Sequence, residues 1–165
     1  MARQSLKQQV APLWNFLEST FGMKAALNLY PPYMGAGIKT THVSDDRQTI
    51  KVEMTLQLMN ENYVGTHFGG SLYAMCDPFF MFILMANLGE DYIVWDQKAV
   101  IEFIRPGTGT VSADFHIPSS RIEEIKDELK LKKKNTYIFE ALVKNEALED
   151  VARIEKYLYV RKNRK

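Results

Sequence analysis

Asn62-Tyr63-Val64-Gly65-Thr66-His67-Phe68-Gly69-Gly70-Ser71-Leu72-Tyr73-Ala74-Met75-Cys76-Asp77-Pro78 leads without a break into Phe79-Phe80-Met81-Phe82-Ile83-Leu84-Met85-Ala86-Asn87-Leu88-Gly89. From Phe68 to Gly89 this is the most apolar part of the chain. Between about Gly69 and Leu88 the apolar side chains run nearly all the way round a helical wheel, the pattern of a helix covered on every side. Pro78 lacks the backbone donor and is expected to kink it. Gly89 ends it. The length also suits a membrane span. Against a span, Asp77 stands near the middle, where a charge facing lipid is costly, and the residues beyond Gly89 read as strands.

Working outward, Ile50, Val52, Met54, Leu56 and Leu58 alternate with Lys51, Glu53, Thr55 and Gln57. Period two marks a strand with one buried face. Ser44-Asp45-Asp46-Arg47 is a turn that joins it to a strand from Ile38 to Val43. On the other side, strands are expected at Tyr92 to Ile104, Thr110 to Ile117, Thr136 to Asn145 and Val151 to Val160. Arg105-Pro106-Gly107-Thr108-Gly109 reads as a tight connection between the first two of these. Ser120 with Glu123 or Glu124 offers a capping box for a short helix that runs into Lys130, Lys132, Lys133 and Lys134. Toward the N-terminus, Leu6, Val10, Leu13, Leu17 and Phe21 recur at helical spacing, with Gly22 as the stop. Tyr30-Pro31-Pro32-Tyr33 is expected to be an extended connector. The whole predicts one α+β domain over residues 1–165, with an N-terminal helix and connector at 1–33 and a core at 34–165. In that core an antiparallel sheet wraps one long central helix.

With 46% hydrophobic and 25% charged residues, the composition is that of a globular protein. A formal net charge of +1 gives no global field to attract nucleic acid. The lysine run and the basic end (Arg161, Lys162, Arg164, Lys165) read as solvated surface, with electrostatic help for an anionic, phosphate-bearing ligand as the alternative. A single cysteine, Cys76, excludes an intrachain disulfide. That suits a cytoplasmic setting, as does an N-terminus, Met1 to Gln9, without an apolar signal segment. One Cys and three scattered His give no metal spacing, and no phosphate-loop or dinucleotide fingerprint is present. No metal or cofactor is therefore expected. His42 and His116 fall within strand patterns, and Cys76 reads as core filler.

Two features of the opening stretch point to chemistry. A glycine pair at a helix start admits close approach to the backbone, where the first N–H groups lack helical partners. Gly69 and Gly70 are thus candidates to hold a carbonyl and its oxyanion. The plainer alternative is that they permit tight packing. Asp77, an ionisable group in the most apolar segment, needs a partner, a raised pKa or a task. Two helical turns separate it from Gly70, which would put both on one face. As a catalytic group it would activate water or attack directly. As a structural one it would bond backbone freed by Pro78. His67 is open between a ligand-facing and a packed role.

The run Asn62-x-x-Gly65-Thr66, then Gly69-Gly70-x-Leu72, then an acid on the following helix resembles the hotdog-fold thioesterases of the phenylacetate-pathway type. Phe103-Ile104-Arg105-Pro106 with Gly109 resembles the strand after that family's central helix. In the family a histidine precedes the glycines. Here Phe68 stands there and His67 is displaced by one position, a variant that looks like the DUF4442-like, tetrameric acyl-CoA thioesterase branch. The resemblance implies an acyl-CoA or acyl-carrier thioesterase without cofactor. It implies catalytic roles for Asp77, Asn62 and Gly70, and substrate contacts at Gly69, His67, Phe68, Ser71 and Tyr73. It also implies a homodimer or dimer of dimers, with the loop of one subunit meeting the helix of another. The same features leave open a non-catalytic acyl-binding protein and a hydroxyacyl-thioester dehydratase.

Overall fold

The structure, a computed structural model, describes residues 10–163. Helix α1, Pro12–Phe21, stops at Gly22 (φ 80°) as the sequence predicts; it starts only after Val10, which the sequence places inside it, and Leu6 lies outside the described residues. Two short helices come next, α2 at Met23–Asn28 and α3 at Pro31–Ala36. The second replaces the extended connector expected around Tyr30. Pro31 and Pro32 occupy the first two helical positions, where a missing N–H costs nothing and a fixed φ helps. Only Tyr30, the residue before the prolines, stays extended.

Among the described residues six strands form one sheet: β1 Ile38–Val43, β2 Thr49–Thr55, β3 Tyr92–Phe103, β4 Thr110–His116, β5 Lys134–Asn145 and β6 Asp150–Lys162. Their order is β1-β2-β4-β5-β6-β3, and every neighbouring pair is antiparallel. Arg105–Gly109 therefore does not close a hairpin. It carries the chain from β3 at one edge to β4 beside β2, past the ends of β6 and β5.

The central helix runs as two segments, α4 at Gly69–Ala74 and α5 at Phe79–Leu88. Met75–Pro78 leaves the helix, so the kink expected at Pro78 is a break. Proline removes a donor and disfavours helical geometry in the residue before it, here Asp77. Gly69–Leu88 has the length and apolarity of a membrane span, but α5 buries Phe79, Phe80, Ile83, Leu84 and Leu88 inside the fold. Helix α6, Ser119–Lys132, links β4 to β5 and buries Ile122, Ile125 and Leu129. It is longer than expected and lacks the capping box. Pro118 holds the N-cap position with no side-chain cap bond, and Glu124 pairs with Arg121 at 2.9 Å instead.

Inward residues of the strands close over α5: Ile50, Val52 and Met54 of β2, Val111, Ala113 and Phe115 of β4, Ile154, Leu158 and Val160 of β6. Aromatic rings fasten the layers together. Phe115 lies 4.9 Å from Phe79 and meets Phe80 edge-on at 5.2 Å. Phe79 continues to Tyr33 of α3 at 5.7 Å, and Tyr33 to Tyr30 at 5.1 Å. The N-terminal helices are thereby packed on the same core. Because Phe115 is fully buried at the centre of this cluster, Phe115→Ala is expected to cost about 3–5 kcal/mol. Urea denaturation checks this, and a loss below about 1 kcal/mol would show a core able to collapse onto the gap.

A charged cluster at the break in the central helix

The break presents Asp77 between two apolar helices. Its Oδ1 accepts a hydrogen bond from the Lys156 ammonium, and its main-chain carbonyl accepts one from the Tyr33 hydroxyl. Lys156 sits on β6 and is 1% exposed. On its other side the ammonium lies 3.1 Å from Asp96 Oδ1, on β3. The Tyr73 ring of α4 lies below it, 5.4 Å from the nitrogen. One buried cation thus joins two carboxylates contributed by different elements. The Asp77 side chain is 38% exposed and that of Asp96 24%, so Asp77 is the open end of the cluster.

Electrostatics differ along it. Burial works against the Lys156 ammonium, but the hydrogen bond and charge of Asp77, with the charge of Asp96, outweigh burial and lift its pKa. Burial raises the Asp96 carboxyl above its ordinary value; Lys156 opposes this and Asp77 adds to it. Neither Asp96 oxygen is aligned for a hydrogen bond, although both are buried. Burial also pushes the Cys76 thiol up to about 12, so it is inert at neutral pH. Tyr33 is likewise raised, first by burial and then by Asp77.

The loop before α4 is tied by Asn62. Its Oδ1 accepts the Val64 and Thr66 N–H groups at 3.0 and 3.1 Å, and its Nδ2 donates to Thr66 Oγ1 at 2.8 Å and to the His67 carbonyl at 3.2 Å. Asn62 is spent inside its own loop. His67 is 3% exposed. Its Nε2 is 3.0 Å from the Gly109 carbonyl, its main-chain N–H donates to the Gly107 carbonyl, and Nδ1 is buried with no hydrogen-bond partner among the described residues. The ring pins the Arg105–Gly109 crossing to the loop. Gly69 and Gly70 start α4, and neither N–H donates to a described acceptor. A Cβ on Gly69 would come within 2.9 Å of the Phe103 ring, and one on Gly70 within 2.3 Å of the Phe68 ring. Phe68 and Phe103 are both more than half exposed. Ser71 is buried in α4.

Residues 19–160 match the model of a domain of unknown function, DUF4442. The chain belongs to that family. No curated protein matches it. Among solved structures it resembles a Pseudomonas aeruginosa protein named "Probable Thioesterase", at 18% identity and TM-score 0.70 over 78% of this chain and 85% of that one. A protein of unknown function from Chlorobaculum tepidum superposes at TM-score 0.68 and 18% identity over 92% and 93% of the two chains. A Haemophilus influenzae thioesterase does so at 0.62 and 16% identity over 95% of each. The architecture is the hotdog fold, as the motif resemblance implies.

Of the candidate residues read from the sequence, only Tyr73 joins Asp77 in the charged cluster. The two-turn relation between Gly70 and Asp77 does not survive, because α4 ends at Ala74. Lys156 and Asp96 are missing from the sequence candidates. The signal for Lys156 is in β6 itself: Ala152, Ile154, Leu158 and Val160 point inward at period two, and Lys156 stands among them. Asp96 lies where the β3–β6 register shifts, which no residue pattern announces.

His67 carries a pH dependence. Burial lowers its pKa from 6.5. The unfolded chain therefore binds this proton more readily than the folded one. The stability present above pH 6.5 is lost as pH falls toward the folded value. His67→Gln, with a neutral donor for Gly109, is expected to flatten that slope. Denaturant midpoints between pH values on either side of 6.5 measure it; an unchanged slope in the variant would assign the effect to other groups.

Proposed function

We propose that the protein hydrolyses an acyl thioester, of coenzyme A or an acyl carrier, to a carboxylic acid and a thiol. The observation that carries this is Asp77, a carboxylate held from behind by a buried cation yet open to solvent at the break in the central helix. Structural neighbours named as thioesterases support the reading through the fold. Water attacks the thioester carbon while the Asp77 carboxylate takes its proton. The C–S bond then breaks and the proton passes to the departing thiolate. Free N–H groups at Gly69 and Gly70 are suited to hold the carbonyl oxygen as it gains charge. Direct attack by Asp77, through an anhydride that water then opens, gives the same products. Asn62 acts by ordering the loop that delivers those glycines.

The resemblance read from the motif implies that the loop of one subunit meets the helix of another. A second copy of the chain would then bring its own α4 to Asp77. We therefore propose a homodimer or a dimer of dimers with composite sites. Sedimentation at micromolar concentration is expected to show no stable monomer, and finding one would remove the shared site.

Asp77→Asn keeps the side-chain volume and removes the basicity. Hydrolysis across a panel of aliphatic and aromatic acyl-CoAs is expected to drop about 10²–10⁴-fold, with the fold retained. Wild-type rates in the folded variant would end this mechanism. A wild-type protein that binds the panel without turnover would leave an acyl-binding role.

A further inference from the structure

Lys156 is costly where it stands. A buried ammonium loses its hydration, and recovers that loss only through well-placed carboxylates. Replacing such a cluster by apolar residues is often neutral or stabilising. The neighbours of Lys156 along the inner face of β6, Ile154 and Leu158, show that an apolar side chain fits that row. Packing alone therefore gives no reason for the lysine. The geometry gives one. Of the two Asp77 oxygens, Oδ1 accepts from Lys156, and Oδ2 accepts no hydrogen bond from a described donor, with the Asp96 carboxyl alongside. The carboxylate is fixed through one atom, on a side chain that solvent reaches.

We propose that Lys156 is a positioning residue of the reaction and Asp96 its counter-charge: the pair clamps the Asp77 carboxylate so that Oδ2 faces the reacting water. This rests on the thioesterase reading for its catalytic half only. Lys156 does not touch substrate. With one carboxylate alone, the ammonium would be neutralised by Asp77; with two, it keeps a share of charge for each, and Asp77 is not drawn wholly into its ion pair. When Oδ2 takes the proton from water, Asp96 remains to balance the ammonium. The proton then leaves with the thiolate and the cluster returns to its starting charge.

The other groups facing the cluster are Tyr33 from α3, Tyr73 from α4 and Cys76 from the break. Tyr33 and Cys76 are both held neutral by burial. The charge of the cluster therefore rests on the two carboxylates and the ammonium.

The test is a pair of variants with opposite expected signs. Lys156→Met leaves two carboxylates to share a proton, so the cluster's apparent midpoint moves up by about 1–3 pH units. Asp96→Asn removes the like charge and keeps the cation, so the midpoint moves down. Carboxyl-carbon NMR titration of the wild type and both variants reads these shifts without any substrate. The acid limb of kcat/KM is expected to follow both, with kcat falling and KM little changed. Midpoints that stay put, or move together, in the folded proteins overturn the clamp. Should Lys156→Met fail to fold, Asp96→Asn alone still decides the sign. A wild type inactive on every thioester would refute the hydrolase reading, while the NMR shifts would still judge the clamp.

Discussion

The ammonium of Lys156 is the point on which the interior is organised. It takes a carboxylate from the central helix and another from the edge strand β3, and it is itself carried by β6. Three elements far apart in sequence are thus held by one desolvated charge. In a low-dielectric interior such a charge tolerates little displacement, because each ångström lost from a partner leaves an unpaired ion. The break at Met75–Pro78, set by the proline, serves the same cluster. A continuous helix would keep Asp77 in its helical turn; the interruption turns the carboxylate toward β6 and leaves its carbonyl for Tyr33.

Around that point the fold supplies rigidity of two kinds. Aromatic contacts run from Tyr30 through Tyr33, Phe79 and Phe115 to Phe80, so α3 backs the helix break with close-packed rings. On the opposite side, hydrogen bonds rather than rings fix the Asn62–His67 loop, through the Asn62 amide and the His67 ring. The first kind holds the helix break against the core. The second sets where the start of α4 lies.

Much of this was legible in the sequence because periodicity reports burial. The six strands among the described residues stand where alternation or apolar runs put them, although β2 ends at Thr55 and leaves Leu58, expected inward, exposed; the helix at Gly69–Leu88 is where the apolar run is longest. The misreadings have physical reasons. Pro31-Pro32 forbids a helix interior but suits its first turn, so the same residues allowed two structures. The capping box at Ser120 is a local pattern, and Pro118 started the helix earlier. Arg105–Gly109 is short enough for a hairpin, and only the pairing of β4 with β2 shows that it crosses instead. Of the candidate site, Asp77 was visible as a charge out of place. Lys156 was equally visible in principle, one charged residue on the inward row of β6, but a strand of ten or more residues with many charges hides one inward lysine among the outward ones. Asp96 depends on a register shift, which arises from pairing and not from composition.

The glycine pair and the aspartate looked like one signal, and the structure separates them. Small residues at 69 and 70 fit the packing, since a side chain there would meet the exposed Phe103 and Phe68 rings unless those rings shifted. They would be conspicuous in the sequence whether or not a ligand ever came near, so they carry little weight about chemistry by themselves. The charged cluster is different. No neighbour needs Asp77, Lys156 and Asp96 for volume, and three apolar side chains would fill the same space without desolvating an ion. A feature that packing explains is weak evidence of function, and one that packing opposes is stronger. On that ground the chemistry of this protein is to be sought at Asp77 and its clamp, with the glycines as the backbone that chemistry uses.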